Sequence, residues 1–405
     1  MSGRKEIRLG DLCYKVCSGG TPKSTCSTYF EGGKIPWLNT KEINYNRLYT
    51  TESHITEEGL NNSSAKWIDA NSVIVAMYGA TAGRVAIAKV PMTTNQACCN
   101  LMIDSLKADY NYIYYYLSNS YKQLLSMANG AAQQNLNAQV IKDFVILLPD
   151  LHEQQNIASI LSSLDDKIAV NKKICENLEA QAQALFKHWF VDFAPFKDGQ
   201  FVESELGLIP EGWRVGKFSD IFDLGPGGTP KTSEKAYWEN GTIPFFSPKD
   251  VNGVYCFETE KHITENGLNN CSSKLYEENT VFITCRGTVG KVAMTAVPMA
   301  MNQSNYAILS NKGYSKYFAY LVTVSIVKFL KFKANGAVFD AITTKDFNEQ
   351  IIIPNTNIVS RFDSIIHPIF DEIHKIGFEN LHLSTLRDTL LPKLMSGQIK
   401  VGDFK

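Results

Sequence analysis

The chain has 405 residues, 44% of them apolar and 20% charged, with a formal net charge of −1. That length holds two to four ordinary domains, and the balance excludes an intrinsically disordered chain. Near-neutrality argues against a free-standing protein that coats nucleic acid by bulk positive charge. It leaves open recognition through local patches or beside basic partners. No apolar run reaches the roughly 18–20 residues of a bilayer span. The first residues, Met1 to Arg8, lack a signal peptide's apolar stretch. A cytoplasmic chain without a membrane partner is expected. Nine cysteines, at 13, 17, 26, 98, 99, 175, 256, 271 and 285, include no C-x-x-C pair, so they read as free thiols and not as a zinc site.

In chain order, Gly19-Gly20-Thr21-Pro22-Lys23 reads as a turn, with glycine supplying positive φ and proline fixing its own. Ser72 to Met77 reads as a buried strand running into a glycine turn. Asp109 to Leu125 reads as a helix set with tyrosines. After Pro149, Asp150 can cap a long helix, with Glu153 three residues on in an Asp version of the capping box. Ile157, Leu161, Leu164, Ile168, Asn171, Cys175, Leu178, Ala182, Leu185 and Trp189 then follow in steps of four and three, a heptad seam with one polar member. Asp165-Asp166-Lys167 with Lys172-Lys173 reads as a solvated outer face of that helix. Phe186, Trp189, Phe190, Phe193 and Phe196 read as packing the helix end into a domain, with a partner-docking face as the alternative.

The chain then repeats itself. Gly227-Gly228-Thr229-Pro230-Lys231 matches Gly19 to Lys23 at a shift of 208 positions (229 − 21). The same shift carries Ile35-Pro36-Trp37 onto Ile243-Pro244-Phe245, and Gly59-Leu60-Asn61-Asn62 onto Gly267-Leu268-Asn269-Asn270. After a one-residue gap, Thr81-Ala82-Gly83-Arg84-Val85-Ala86 meets Thr288-Val289-Gly290-Lys291-Val292-Ala293, and Asn95-Gln96 meets Asn302-Gln303. The period is too long for a solenoid, so this is a duplicated domain of α+β type, β-rich with helical insertions.

A second seam closes the chain: Val359, Phe362, Ile366, Ile369, Ile373, Ile376, Asn380, Leu383, Arg387 and Leu390. Pro368 is expected to kink or restart its helix. The two long helices are expected to pair antiparallel. Setting Asn171 against Asn380 gives a constant index sum of 551 (171 + 380), which brings Trp189 near Phe362 and Ile157 near Leu394. Two helices docked separately on their own domains are the alternative. Paired, the helices would make the chain pseudo-two-fold symmetric and would run roughly 50–60 Å. The expected divisions are 1–149, the first domain copy; 150–197, the central helix; 198–356, the second domain copy; and 357–405, the distal helix and tail.

Catalytic motifs are missing. Cys285 to Val292 superficially resembles a phosphate loop, but a Walker A loop needs glycine where Cys285 stands and Ser or Thr where Val292 stands. There is no H-E-x-x-H, no G-x-S-x-G and no complete G-x-G-x-x-G after a strand. Nor is there an Asn-Pro-Pro-Tyr or Asp-Pro-Pro-Tyr tetrapeptide of the kind an amino-directed methyltransferase carries.

Several segments together resemble the specificity subunits of type I restriction–modification systems. Leu151-His152-Glu153-Gln154-Gln155 opens the central helix, and Leu185 to Phe193 (LFKHWFVDF) closes it. Ile209-Pro210-Glu211-Gly212-Trp213 leads into the second copy, and Leu391-Pro392-Lys393-Leu394-Met395-Ser396-Gly397 lies near the end. The resemblance covers essentially the whole chain. It departs at Pro354-Asn355-Thr356-Asn357, where the family's Pro-x-Leu-x-Glu-Gln is replaced. It implies two target-recognition domains, each reading one half of a split asymmetric sequence in double-stranded DNA, with the helices as spacers. It implies a non-catalytic subunit that recruits modification (methyltransferase) and restriction (translocase and nuclease) subunits. S-adenosylmethionine, ATP and magnesium would be bound by those partners and none by this chain. A methylation-only or phage-exclusion system, or a two-domain scaffold that does not bind DNA, is the alternative.

Base readout needs donors and acceptors at base edges, and phosphates need cations or amides. The candidates are Lys23 and Lys231 after the repeated turn, the aligned cations Arg84 and Lys291, and Gln133 with Gln134. The last is an aligned pair of unlike residues, Tyr78 and Arg286. Arginine can take guanine bidentately and tyrosine cannot, so position 78/286 could separate the half-sites. An ordinary surface cation is the bland reading of Arg286, and loop polarity that of the glutamines. The identical Asn-Gln pairs read as structural hydrogen-bonding residues.

Overall fold

A computed structural model describes residues 4–127, 135–310, 312–333 and 341–404. Its contacts divide the chain into two units, 1–166 with 384–405, and 167–383.

In the first unit the main sheet runs in the order Cys13–Ser18, Cys98–Ile103, Val73–Ala76, Val85–Ala88, Asn46–Leu48. All neighbours are antiparallel except the last pair. Its centre is covered on both faces, which is why Val73–Ala76 reads as an unbroken apolar run. Side chains alternate across a strand, so Val73 and Val75 enter a core with Tyr112 and Leu117 of the helix Tyr110–Asn119. Ile74 and Ala76 enter a second core with Leu38 and Met92. Asp109 caps that helix by accepting the Tyr112 N–H at 2.9 Å. A four-stranded sheet (Ser53–Ile55, Ile35–Leu38, Met92–Thr94, Trp67–Ile68) and an antiparallel pair (Lys5–Arg8 with Val145–Leu148) complete the unit's strands.

The second unit repeats the plan. Its five strands follow the same order: Asp223–Pro226, Asn305–Leu309, Val281–Thr284, Val292–Thr295, Tyr255–Cys256. Val281 and Ile283 face a core with Phe318 and Leu330 of the helix Lys316–Lys333, while Phe282 faces Phe246 and Met301. A hairpin, Phe201–Ser204 with Gly207–Pro210, has no counterpart among the described residues of the first unit.

The two long helices are Leu151–Phe190 and Thr356–Ser396. Within each unit their segments pair antiparallel in the expected register. In the second unit Asn171 Nδ2 donates to Asn380 Oδ1 at 2.9 Å and to Glu379 Oε2 at 2.7 Å. There the rings of Trp189 and Phe362 lie 5.5 Å apart. In the first unit Ile157 and Leu161 share a core with Leu394 and Met395, and Arg387 bonds Asp165 at 2.7 Å. The cap survives where the sequence departs from the resemblance. Asp150 accepts the Glu153 N–H at 2.9 Å, and Asn355 accepts the Ile358 N–H at 3.1 Å. Gly397, at φ 74°, ends the distal helix, and Arg4 donates to the carbonyls of Leu394 (3.1 Å) and Met395.

Four expectations change. The distal helix does not restart at Pro368 but runs through it. Pro368 is exposed, so the carbonyl that loses its N–H partner can be hydrated. Gly19, Gly20, Gly227 and Gly228 do not adopt positive φ. They are glycines because a Cβ at Gly19 or Gly227 would overlap the carbonyl oxygen of Thr94 or Asn302. Of the charged stripe, Asp165 leaves the solvated face by accepting from Tyr115 and Arg387, while Asp166, Lys167, Lys172 and Lys173 are exposed as expected, Asp166 bonded by Arg47 and Lys167 paired with Glu379 at 3.5 Å. Glu153 does not close a capping box but pairs with Arg4 at 3.1 Å. The aromatic cluster packs as a helix end should, with Phe190 4.8 Å from Phe362 and Phe196 5.1 Å from Trp213. All nine cysteines are free, and burial pushes the thiols of Cys13, Cys99, Cys256 and Cys285 up to about 12, which makes them poor nucleophiles.

Candidate nucleic-acid interface

In each unit one residue stands at the mouth of a glycine loop on a backbone bonded from both sides. In the first unit Met77 N donates to Ala97 O at 2.8 Å and Met77 O accepts from Leu136 N at 2.9 Å. Tyr78 follows, 40% exposed, and the chain turns back through Gly79 (φ 78°) and Gly83 (φ 80°). In the second unit Cys285 N donates to Ser304 O at 2.8 Å and Cys285 O accepts from Ile342 N at 3.0 Å. Arg286 follows, exposed and bridged antiparallel to Ala341, and the chain turns through Gly287 (φ 78°) and Gly290 (φ 73°). These positive φ values are the ones that require glycine. Both loops leave the strand on the same pair of backbone bonds and turn at two positive-φ glycines, but the first is one residue longer, with a 3-10 turn at Gly79–Thr81, and position 78/286 carries unlike side chains.

The surroundings differ as well. Tyr78, Gly79, Ala82, Tyr121, Leu125 and Asn135 line an open cleft of about 700 Å³ in the first unit. The Tyr45 ring meets Tyr121 edge-on at 6.2 Å, and burial raises the Tyr45 hydroxyl pKa. Arg84 is half-buried and donates to Asn44 Oδ1 at 2.8 Å, so its guanidinium is steered by a neighbour. In the second unit the places of Tyr121 and Leu125 beside the glycine loop are taken by Val327 and Lys331. Lys331 Nζ lies 3.4 Å from Gly290 O, and Lys291 is exposed on the same loop. The first mouth is aromatic and the second cationic. Tyr45, Tyr121 and Lys331 were invisible to the sequence reading, because each reaches the loop from a distant segment.

Lys23 and Lys231 are exposed on a separate, anchored loop. Gly20 N donates to Thr94 O (2.9 Å) and Gly228 N to Met301 O (3.0 Å), and Thr21 and Thr229 bond Gln96 and Gln303. The Asn-Gln pairs hold structure, as expected: Asn95 Oδ1 accepts from Ala97 N at 3.1 Å and Asn302 Oδ1 from Ser304 N at 3.0 Å. Each loop is also held by an indole. Trp37 Nε1 donates to Gly20 O at 2.9 Å, and Trp238 Nε1 to Lys231 O at 3.2 Å. Gln133 and Gln134 lie outside the described residues, as do Asn335 to Ala337 and Phe339-Asp340. Among the described residues no cluster of three or more His, Cys, Asp or Glu side chains could hold a metal ion, and no helix is long and apolar enough to cross a membrane.

The profile of the family described as the type I restriction modification DNA specificity domain matches residues 1–180 and 210–381. The chain belongs to that family of specificity subunits. It is 33% identical over 401 residues to the type I restriction enzyme MjaIX specificity subunit of Methanocaldococcus jannaschii, covering 96% of this chain and 92% of that one. It is 27% identical over 344 residues to the HindI specificity subunit of Haemophilus influenzae, covering 70% and 75%. The solved type I S subunit of M. genitalium shares the fold, with a TM-score of 0.54 at 17% identity over 96% of both chains.

Proposed function

We propose that this specificity subunit reads a split, asymmetric DNA sequence, with one unit engaging each half. The observation that carries this reading is a repeated scaffold with unlike mouths. The two main sheets have the same strand order and the two loops leave them on matching backbone bonds, yet Tyr78 stands in one and Arg286 in the other. Identical chemistry would suit a palindrome; unlike chemistry suits unequal halves. Arg286 would take a guanine edge and Tyr78 would present a ring to an apolar group such as the thymine methyl. Lys23, Arg84, Lys231 and Lys291 would serve phosphates, and Gln133 with Gln134 a base edge.

In this reading the chain contributes recognition and leaves chemistry to partners. Modification subunits carrying S-adenosylmethionine would methylate adenine. Restriction subunits using ATP and magnesium would translocate and cleave. The near-zero net charge fits a subunit whose partners share phosphate neutralisation. The helix pair would set the gap between half-sites. The test is co-expression with candidate modification subunits, followed by sequencing of methylated adenines. A split motif of constant gap is expected, and adding helical residues in both spacers changes the gap while both halves persist. Methylation at an unbroken motif, or half-sites that change with spacer length, overturns the reading.

A further inference from the structure

The helix Lys316–Lys333 ends in Lys328-Phe329-Leu330-Lys331-Phe332-Lys333. Leu330 is 5% exposed and anchors the turn in the core, but Phe332 is 81% exposed and Phe329 50%. Three residues apart, the two rings fall on one face of the helix. Two phenylalanines left in water are a costly arrangement unless something covers them.

The surroundings identify what does. Lys333 Nζ sits 5.9 Å from the centre of the Phe329 ring, and Lys328 donates to Gln183 at 2.6 Å. Lys331 reaches the Gly290 carbonyl, so this helix end adjoins the loop that carries Arg286 and Lys291. The nearby carboxylates are already engaged, Glu349 by Lys333 at 2.6 Å and Asp346 by the N–H and hydroxyl of Thr343 at 2.7 and 2.8 Å. Glu349 neutralises Lys333, but Lys328 and Lys331 are held only by neutral acceptors and keep their charge beside the rings, so an apolar tip stands next to two cations, the complement of stacked bases flanked by phosphates. Among the described residues, the first unit has no such pair of rings at the matching positions. Matching Val327 and Lys331 with Tyr121 and Leu125 places Gln123 and Ser126 at the two ring positions.

Building on the proposed function, we infer that Phe332, backed by Phe329, is an apolar wedge that the second unit presses into a base step of its half-site. The surrounding lysines hold the adjacent phosphates. The wedge unstacks that step, which gives one half of the target a deformability requirement the other half lacks.

The experiment uses the assembled complex of this chain with its modification subunits. It is mixed with duplexes carrying the mapped target, with 2-aminopurine at each position in turn away from the methylated adenines. Fluorescence should rise several-fold at one step of one half-site. Phe332→Ala should abolish that rise and weaken binding about 10-fold, and Phe332→Leu should retain most of both. Thermal unfolding should not change, because the ring is exposed. Unchanged affinity and an unchanged fluorescence pattern in Phe332→Ala overturn the inference. So does a variant that loses modification subunits yet, once assembled, binds duplex normally, since the patch would then be a protein contact. A wild-type complex with no sequence-selective binding overturns the proposed function itself, a result read before any variant is made.

Discussion

The Phe30–Trp37 pair of the first unit and the Trp238–Phe245 pair of the second are one device built in mirror order. In the first unit the indole comes second and its ring sits 6.0 Å from the phenyl; in the second the indole comes first, at 5.3 Å. In both, the indole N–H holds a carbonyl of the Gly-Gly-Thr-Pro-Lys loop. Exchanging the two residue types preserves the summed volume and moves the indole hydrogen bond from the second residue of the loop to its last, so the anchor survives the change. The mouth of the other glycine loop shows the opposite behaviour. Its entry bonds and its two positive-φ glycines are kept, with one residue fewer between them, but Tyr45, Tyr78, Tyr121 and Leu125 give way to Gly253, Arg286, Val327 and Lys331. At the indole anchor the groups that carry the loop's hydrogen bonds are replaced by equivalents. At the mouth the groups that face outward are replaced by different chemistry.

This contrast can be broken at several points. The largest effect is expected at Phe362, wholly buried against Phe186, Trp189 and Phe190. Phe362→Ala should destabilise the second unit by about 3–5 kcal/mol. Urea unfolding followed by tryptophan fluorescence should show an earlier transition in Trp189 and Trp213 while Trp37 keeps its midpoint. A common shift of all three would mean that the units do not unfold separately.

Next come the close-approach glycines. Gly19→Ala and Gly227→Ala each drive a methyl into a backbone carbonyl. Each should cost on the order of 1–3 kcal/mol in thermal unfolding. Because the two anchors are equivalent, a large difference between these variants would break the comparison on the scaffold side.

The mouth exchange, Tyr78→Arg with Arg286→Tyr, should leave stability within about 0.5 kcal/mol. It should change base preference at one position of each half-site by about 1–3 kcal/mol, roughly 10–100-fold. Methylation mapping reads this directly, and unchanged motifs would remove position 78/286 from the recognition surface. The smallest effect belongs to the helix caps. Asp150→Ala and Asn355→Ala should each cost about 0.5–2 kcal/mol, visible in denaturant midpoints.

The helix pair was legible because a heptad seam is local information and two asparagines fix a register by mutual need. Asn171 and Asn380 are each the one amide in a heptad series, and they bond each other. The duplication was legible for the same reason. The strand order was not, since pairing of Cys13–Ser18 with Cys98–Ile103 depends on contacts about 85 residues apart that no short pattern encodes. Of the site, the glycine loops and the contrast between Tyr78 and Arg286 could be read from the repeat. Tyr45, Lys331 and Phe332 could not, because their importance comes from what folding brings beside them. The glycines of Gly-Gly-Thr-Pro-Lys show the limit of a local pattern: the motif suggests a dihedral preference, whereas a carbonyl from a distant strand leaves no room for a side chain.

Arg4 clamps the last turn of the helix Thr356–Ser396, and Leu394 and Met395 fill the same core as Ile157 and Leu161. The first unit is therefore assembled from two stretches of chain separated by the whole of 167–383. A ribosome completes every residue of the second unit before it supplies the last pieces of the first. The second unit can condense as soon as it emerges, whereas the first must wait with an open apolar seam. During synthesis the earlier-made recognition unit is thus the later to mature, and the nascent chain stays most vulnerable to proteases and aggregation until residues 384–399 arrive.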